Sequence, residues 1–341
     1  MSDIKLFRLQ SGHATELQGD ASDLEKPLQN LIEANLEVLL GIRFLATEYS
    51  TGKTHGGRID TLGLDENDCP VILEYKRSVG ENVINQGLFY LDWLMDHQAE
   101  FKLLVLEKFG KAAADGIDWS APRLVCIAAD FTKYDGHAVQ QINRNIELIR
   151  YRRFGDELLL FELANASSAS ASKTAATKIT KAPKDLKEAV SEEKAVGPDK
   201  AYSEIVAALP QGLIDLLTSL EDYTLSLGDD VQRKELRLYI AFKRLKNFAT
   251  LVAQRGRLLL YLHLDPARVV TALPIARDVS QKGHWGTGDV EIALTTLADL
   301  EAAKPFIVEA YEGRSQTKVS KIISEAAVDA LDTLKGSTSL E

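Results

Sequence analysis

A chain of 341 residues with 45% hydrophobic content is long enough for two globular units, and its formal net charge of -10 with an isoelectric point near 5.3 excludes a surface coated in basic residues. No apolar run approaches the ~18 residues needed to span a bilayer, nothing at the amino terminus reads as a secretory signal, and two distant cysteines suit a reducing compartment. A cytoplasmic protein with no membrane partner is expected, and with six scattered histidines and Cys69 far from Cys126 no cluster has zinc-ligand spacing.

The first predicted helix runs from Leu24 to Leu40, where Leu24, Leu28, Leu31, Ile32, Leu36 and Leu39 form one apolar stripe. Glu25 lies near that stripe, whereas Glu33 and Glu37 lie away from it and read as solvated. An acid turned inward needs a reason, and two are open for Glu25: a metal ligand in a cleft, or the closing residue of a capping box over Ser22-Asp23-Leu24-Glu25. Pro27 complicates the box, because it lacks an N–H that an established helix needs, so a start near Lys26 is the alternative.

Next comes GGRIDTLGLDENDCPVILEYK, from Gly56 to Lys76, which reads as a β-hairpin. Side chains two apart on a strand share a face, so Glu74 and Lys76 point one way while Val71, Leu73 and Tyr75 form an apolar set on the other. Asp60 joins Glu74 only if Leu64 lies opposite Pro70 across a five-residue loop from Asp65 to Cys69; a loop shorter by one residue places Asp60 on the wrong face. Two adjacent carboxylates repel and invite a cation, and hard oxygen donors with room for water and phosphate suit magnesium or manganese. Lys76 beside such an ion would orient or deprotonate water and stabilise charge on a phosphate. A surface hairpin with a weak Glu–Lys salt bridge is the plain alternative on spacing alone.

A second helix is predicted from Gly80 to His97, with Val83, Ile84, Leu88, Leu91, Leu94 and Met95 as its core stripe. Gln86 and Tyr90 sit one turn apart, either reaching the site or forming a polar shoulder on a packing helix. Cys126 falls in the strand LVCIAA. Arg144, Arg150, Arg152 and Arg153 in NRNIELIRYRR are the densest basic run of this half, and Arg150 and Arg152 share a strand face, available for phosphate contact or as a charged, solvated edge.

Three segments together, Gly57-Arg58-Ile59-Asp60, Val71-Ile72-Leu73-Glu74-Tyr75-Lys76, and Asn85-Gln86-Gly87 followed by Tyr90, resemble the PD-(D/E)XK nuclease superfamily, most closely its NucS-like and RecB-like branches. The resemblance covers roughly residues 20 to 162; the eponymous proline is absent, Ile59 standing before Asp60. It implies a restriction-endonuclease-like α/β fold, a central mixed sheet flanked by helices. It further implies Asp60 and Glu74 as ligands of catalytic Mg2+ or Mn2+, joined by Glu25 if that acid faces the cleft, with Lys76 assisting hydrolysis and Gln86 helping. Arg58, Tyr90, Arg150 and Arg152 are the expected nucleic-acid contacts. The expected function is endonucleolytic or exonucleolytic hydrolysis of DNA phosphodiesters, with RNA left open; many enzymes of this fold act as dimers, so a homodimer belongs among the assemblies to test. The rivals are a nuclease-like fold that only binds nucleic acid, and a regulatory or interaction protein dominated by its second half.

Residues 1–163 thus form the expected first domain, and the Ser/Ala/Lys/Glu-rich 164–199 a flexible linker that lets the two domains move. Residues 200–315 form the second, smaller α+β domain, and 316–341 a helix or tail. The second domain opens with a helix over Ala201–Leu220 and continues through strands at Leu236–Phe242, Phe248–Ala253, Arg257–Leu264 and Val290–Leu294 to a helix from Leu297 to Tyr311. Its loop Lys282-Gly283-His284-Trp285-Gly286-Thr287-Gly288-Asp289 resembles an uncharacterised bacterial domain, sometimes labelled a predicted transport protein, that often follows nuclease-like domains. Trp285 reads as a packing anchor, with base stacking by His284 and Trp285 as the alternative. Lys234, Arg237, Lys243, Arg244 and Lys246, interleaved with Tyr239 and Phe242, suggest a nucleic-acid surface or an ordinary exposed strand face.

Overall fold

The alternation read in VILEYK becomes the third strand of a six-stranded mixed sheet. The computed structural model describes residues 4–20, 25–76, 83–167 and 201–313. In chain order the first domain contains β1 (Leu6–Gln10), β2 (His13–Leu17), α1 (Glu25–Ala34), α2 (Leu36–Leu40), β3 (Ile42–Ser50), α3 (Gly52–His55), β4 (Arg58–Asp65) and β5 (Pro70–Lys76). It continues with α4 (Val83–Asp96), α5 (Gln98–Phe109), α6 (Lys111–Asp115), β6 (Arg123–Ala128), α7 (Lys133–Gln140), β7 (Asn145–Phe154) and β8 (Leu158–Ser167). The sheet order is β3-β4-β5-β6-β7-β8, with β5, β6 and β7 parallel and every other pairing antiparallel. On one face, Val71, Leu73 and Tyr75 pack under Leu28 and Ile32 of α1 and Leu36 and Leu40 of α2. On the other, Leu62, Leu64, Ile72 and Cys126 pack under Leu91, Trp93 and Leu94 of α4 and Phe101 of α5.

The first predicted helix divides at Asn35, whose φ of -126° leaves the helical region while its side-chain amide donates to the Leu31 carbonyl at 2.9 Å. Asn competes with the helix in this way by offering its own hydrogen bonds to the local backbone. Pro27 falls in the first turn of α1, where a missing N–H costs nothing. The capping residues Ser22 and Asp23, and the start of the second predicted helix at Gly80, lie outside the described residues. Pairing of β8 with β7 carries the sheet to Ser167, past the composition break at Ala164. The rest of the expected linker and the tail 316–341 also lie outside the described residues.

The second domain contains α8 (Tyr202–Ala207), α9 (Gln211–Leu225), β9 (Gln232–Glu235), β10 (Ile240–Lys243), β11 (Asn247–Gln254), β12 (Arg257–Leu262), α10 (Pro266–Ala272), β13 (Ala276–Asp278), β14 (Val290–Leu294) and α11 (Leu297–Glu312). Pro210, at the N-cap of α9, splits the helix predicted from Ala201, and the strand predicted over Leu236–Phe242 is instead the turn and second arm of a β9–β10 hairpin. The sheet, ordered β13-β14-β12-β11-β10-β9, is antiparallel throughout. Leu213, Leu216 and Leu220 of α9 and Leu300, Ala303 and Ile307 of α11 cover one face of it. Among the described residues no helix is long and apolar enough to cross a membrane.

The opposite face of this sheet is not exposed. Leu236, Leu238, Tyr239, Val252, Leu259 and Tyr261 share one apolar cluster with Cys69 and Ala121 of the first domain. Beside it, Lys234 Nζ lies 3.1 Å from Asp65 Oδ2 and Lys243 Nζ lies 2.8 Å from Glu147 Oε1, while Arg123 reaches Asp65 at 3.0 Å and Glu147 at 2.8 Å. All five side chains are at most 5% exposed. Lys234, Lys243, Tyr239 and Phe242 therefore form an internal joint and core rather than a nucleic-acid surface, and the expected freedom between domains gives way to a shared interior. Buried charges persist only when paired, which is why lysines on an apparently ordinary strand face end up here.

Candidate active site

The β4–β5 ladder pairs Leu64 with Pro70, Gly63 with Val71, Leu62 with Ile72 and Thr61 with Leu73, the register that carries Asp60 to Glu74. Asp65 begins a turn in which its Oδ1 accepts from the amides of Asn67 (2.9 Å) and Cys69 (3.0 Å), and Asp68 adopts a left-handed φ of 57°. Asx side chains stabilise such turns and tolerate that region.

At the far end of the hairpin carboxylates take over the backbone pairing. The Asp60 amide donates to Glu74 Oε1 at 3.2 Å, and the Tyr75 amide donates to Asp60 Oδ2 at 3.0 Å. Glu74 is fully buried, and its second oxygen, Oε2, is buried with no hydrogen-bond partner among the described residues. Burial, followed by the Asp60 charge, pushes the Glu74 carboxyl up to about 9. Burial likewise raises Asp60, against the lowering effect of the Tyr75 N–H and the Lys76 ammonium. The arrangement disfavours two charges in one dry place, and an orphaned carboxylate oxygen is the group a hard cation would satisfy.

Lys76 Nζ lies 4.0 Å from Glu25 Oε2, so Glu25 stands beside the lysine at the mouth of the site, 41% exposed. Among the described residues, no group of three or more His, Cys, Asp or Glu side chains is gathered for a metal. Asp60 and Glu74 are two adjacent carboxylates, a set whose chemistry would fit Mg2+ or Mn2+, which retain water and bind through one or two carboxylates.

Arg58 is exposed and held by Glu48 Oε2 at 2.8 Å; Glu48, at φ 50°, also holds Lys26 at 2.7 Å. The hydrogen bond from Lys26 is the main cause of the lowered Glu48 carboxyl, partly opposed by burial. Tyr90 is only 6% exposed, and its hydroxyl accepts from the Arg58 amide at 3.1 Å and from Gln86 Nε2 at 3.4 Å. It braces the chain that leads into Asp60 instead of facing a DNA phosphate, and Gln86 connects to the site through it. The Tyr90 ring also fills the space above Gly57, where an added Cβ would come within 2.5 Å of Cε1. Gly57→Ala is therefore expected to cost ~1–3 kcal/mol in urea denaturation through overpacking, whereas an unchanged midpoint would remove the bracing role of Tyr90.

Arg150 is committed to Asp130 (2.6 Å) and Glu162 (2.8 Å), and Arg152 Nη1 approaches the Ile4 carbonyl at 3.5 Å. Neither arginine joins the acid pair, and the double pairing of Arg150 replaces its expected phosphate contact.

Two participants escape a reading of spacing. Gln29 is buried on the flank of the α1 stripe and donates to the Asp60 carbonyl at 2.8 Å and to Glu33 Oε1 at 2.9 Å. Glu33, expected to be solvated, also accepts from Thr61 Oγ1 at 2.6 Å. The available signal was a polar residue next to Leu28 on the buried side of an amphipathic helix.

In the second domain, His284 stacks on Tyr261 with centroids 4.4 Å apart, whereas Trp285 is 49% exposed, so the loop is anchored by the histidine and not by the tryptophan. Gly286 and Gly288 have positive φ, and a Cβ added at either would come within 2.5 Å of Thr250 Oγ1 or 2.8 Å of the Leu262 amide nitrogen respectively.

Residues 202–313 match the family described as a domain of unknown function, DUF5655. A Haemophilus influenzae protein described as uncharacterized is 29% identical over 311 residues, covering 90% of this chain and 99% of its own. Two solved structures, a repair endonuclease from Pyrococcus abyssi and EndoMS in complex with double-stranded DNA, each share 20% identity over 38% of this chain, with TM-scores of 0.25 and 0.22. The match spans about half of each of those chains, 48%. The DUF5655 match covers the second domain, and the chemistry of the first rests on its own side chains.

Proposed function

We propose that this protein is a divalent-metal-dependent nuclease that hydrolyses DNA phosphodiesters at the Asp60–Glu74 end of the β4–β5 hairpin. The observation that carries the reading is the buried Asp60–Glu74 pair, with Glu74 Oε2 left without a hydrogen-bond partner among the described residues. DNA as substrate follows from the motif resemblance around Asp60, Glu74 and Lys76.

Asp60 and Glu74 would hold Mg2+ or Mn2+, which when bound supplies positive charge to the phosphate and makes water more acidic. Glu74 has to release its proton to serve as a ligand, so cation affinity should rise with pH toward the value near 9 that burial imposes on it. Lys76 lies on the same strand face two residues on, placed to orient the attacking water and to stabilise charge developing on the phosphate. Glu25 would keep the Lys76 ammonium at the mouth of the site. Tyr90 and Gln86 steady the Arg58 backbone, while the Arg58 side chain, exposed beside Glu48, is a cation available to a substrate phosphate.

The test uses labelled single-stranded, duplex and branched DNA, with an RNA counterpart, in magnesium, manganese or chelator. Asp60→Ala and Lys76→Ala are each expected to lower cleavage ~10²-fold or more, and chelator to abolish it. Cleavage that ignores these substitutions or persists in chelator would sink the mechanism. Binding without cleavage would favour a nuclease-like fold that only holds nucleic acid.

A further inference from the structure

The second domain docks at the end of the first-domain sheet opposite the acid pair. The parallel strands begin at Val71, Arg123 and Asn145 and run to Lys76, Ala128 and Arg150, in register throughout. Asp65, Cys69 and Arg123, which meet the second domain, lie at or before the starting end, and Glu74 lies three residues beyond the level of Arg123, about 10 Å at ~3.3 Å each; Glu147 meets the second domain two strands away, at the level of Leu73. In this arrangement the second domain is not a cover over the site.

What it grips is the turn of the acid-bearing hairpin. Glu66 Oε1 accepts from the Asn247 amide at 3.3 Å, and Asn67 Oδ1 accepts from Tyr239 Oη at 3.1 Å and from Asn247 Nδ2 at 2.8 Å. Asp65 is paired with Lys234 and Arg123. Behind Asn247 stands the glycine-rich loop: Asn247 Nδ2 also donates to Thr287 Oγ1 at 3.2 Å, and Thr250 Oγ1 donates to the Thr287 carbonyl at 2.9 Å. The most distinctive segment of the second domain is thereby used as backing for a side chain that holds the other domain's turn.

The register of a hairpin is set by its turn, and a slip of one residue exchanges the faces of the strand. Asp60 and Glu74 lie directly opposite one another in one register only, and the bonds from the Asp60 amide to Glu74 and from the Tyr75 amide to Asp60 form only there. We propose that the second domain is a fixed clamp on this hairpin, with Lys234, Tyr239 and Asn247 as positioning residues that hold β4 against β5 in the register that joins Asp60 to Glu74. The consequence for catalysis rests on the nuclease reading; the clamp itself does not.

Three measurements on the full chain test it. A protease site is placed within residues 168–200 and cut; the halves are expected to co-elute at micromolar concentration in ordinary and in high salt, because the joining charges are buried and escape screening. Separation of the halves would overturn the clamp. Amide exchange is then followed at Asp60 and Tyr75, whose N–H groups are the ones bound by the carboxylates. Tyr239→Phe and Asn247→Ala are expected to speed exchange at these two amides roughly tenfold, with Val125 in the central strand and a Trp285→Ala variant unaffected. Loosening that is equal at Val125, or absent at Asp60 and Tyr75, would reduce these residues to general stability and remove the positioning role. Manganese affinity, read by calorimetry on the same folded variants, should fall roughly tenfold, as it does when residues supporting metal ligands are lost. If the wild type shows no manganese binding that depends on Asp60, the nuclease reading fails while the exchange result still decides the clamp.

Discussion

Glu74→Gln is expected to stabilise the metal-free protein at pH 8 while abolishing divalent-cation binding and cleavage. The folded-state carboxyl sits near 9 against an ordinary 4.5, raised by burial and by the neighbouring Asp60 charge. Between those values the native state holds a proton that the unfolded chain has released, so this group's contribution falls as pH rises through the window, by up to ~1.4 kcal/mol per pH unit at the steepest. A glutamine keeps the neutral shape and removes the titration, so the variant's stability should be flatter from pH 5 to 9 than the wild type's. Saturating magnesium should have the same flattening effect on the wild type, and none on the variant. Denaturant titrations across that pH range supply the check, and parallel slopes for wild type and variant would show that Glu74 is not the buried acid described here.

The acidic limb should run the other way. Asp65 and Glu147 are held well below the usual carboxylate range by Lys234 and Arg123 and by Arg123 and Lys243 respectively, despite burial that works against it. Their folded values are depressed, so their stabilisation is fully present above the ordinary carboxylate range and is lost as pH falls toward the Glu147 value near 2.

Arg123→Ala is the second large effect, an expected loss of ~3–5 kcal/mol in urea denaturation. Arg123 is fully buried and forks between Asp65 and Glu147, donating from Nη1 to the first at 3.0 Å and from Nε and Nη2 to the second at 2.9 and 2.8 Å. Removing it leaves two buried carboxylates facing one lysine each and opens space at the domain joint. The loss should fall on both domains together, as a single transition, because the joint shares one apolar cluster. Two separate transitions, or a change below ~1 kcal/mol, would show that the joint is wetter and looser than the described burial requires.

Much of the first domain can be read locally. The period-two pattern of Val71, Leu73 and Tyr75 against Glu74 and Lys76 determined a strand and its faces, and Asp, Asn and Pro between Asp65 and Pro70 determined a turn whose length sets the register. Position and alternation suffice there because strand geometry ties sequence spacing to direction in space. The same rule identified the stripe of α1 and the strands at Phe248 and Arg257. What the sequence could not decide is which polar faces meet. Lys234 and Lys243 look like solvated strand residues until Asp65 at the β4–β5 turn and Glu147 of β7 meet them, Arg150 looks available until Asp130 and Glu162 flank it, and Gln29 becomes part of the site only when α1 lies across β4. Pairing of charges depends on burial and on partners tens to more than a hundred residues away, so it is settled by how the elements pack; the acid pair could be located from the spacing of one hairpin, whereas the residues that grip its turn could not.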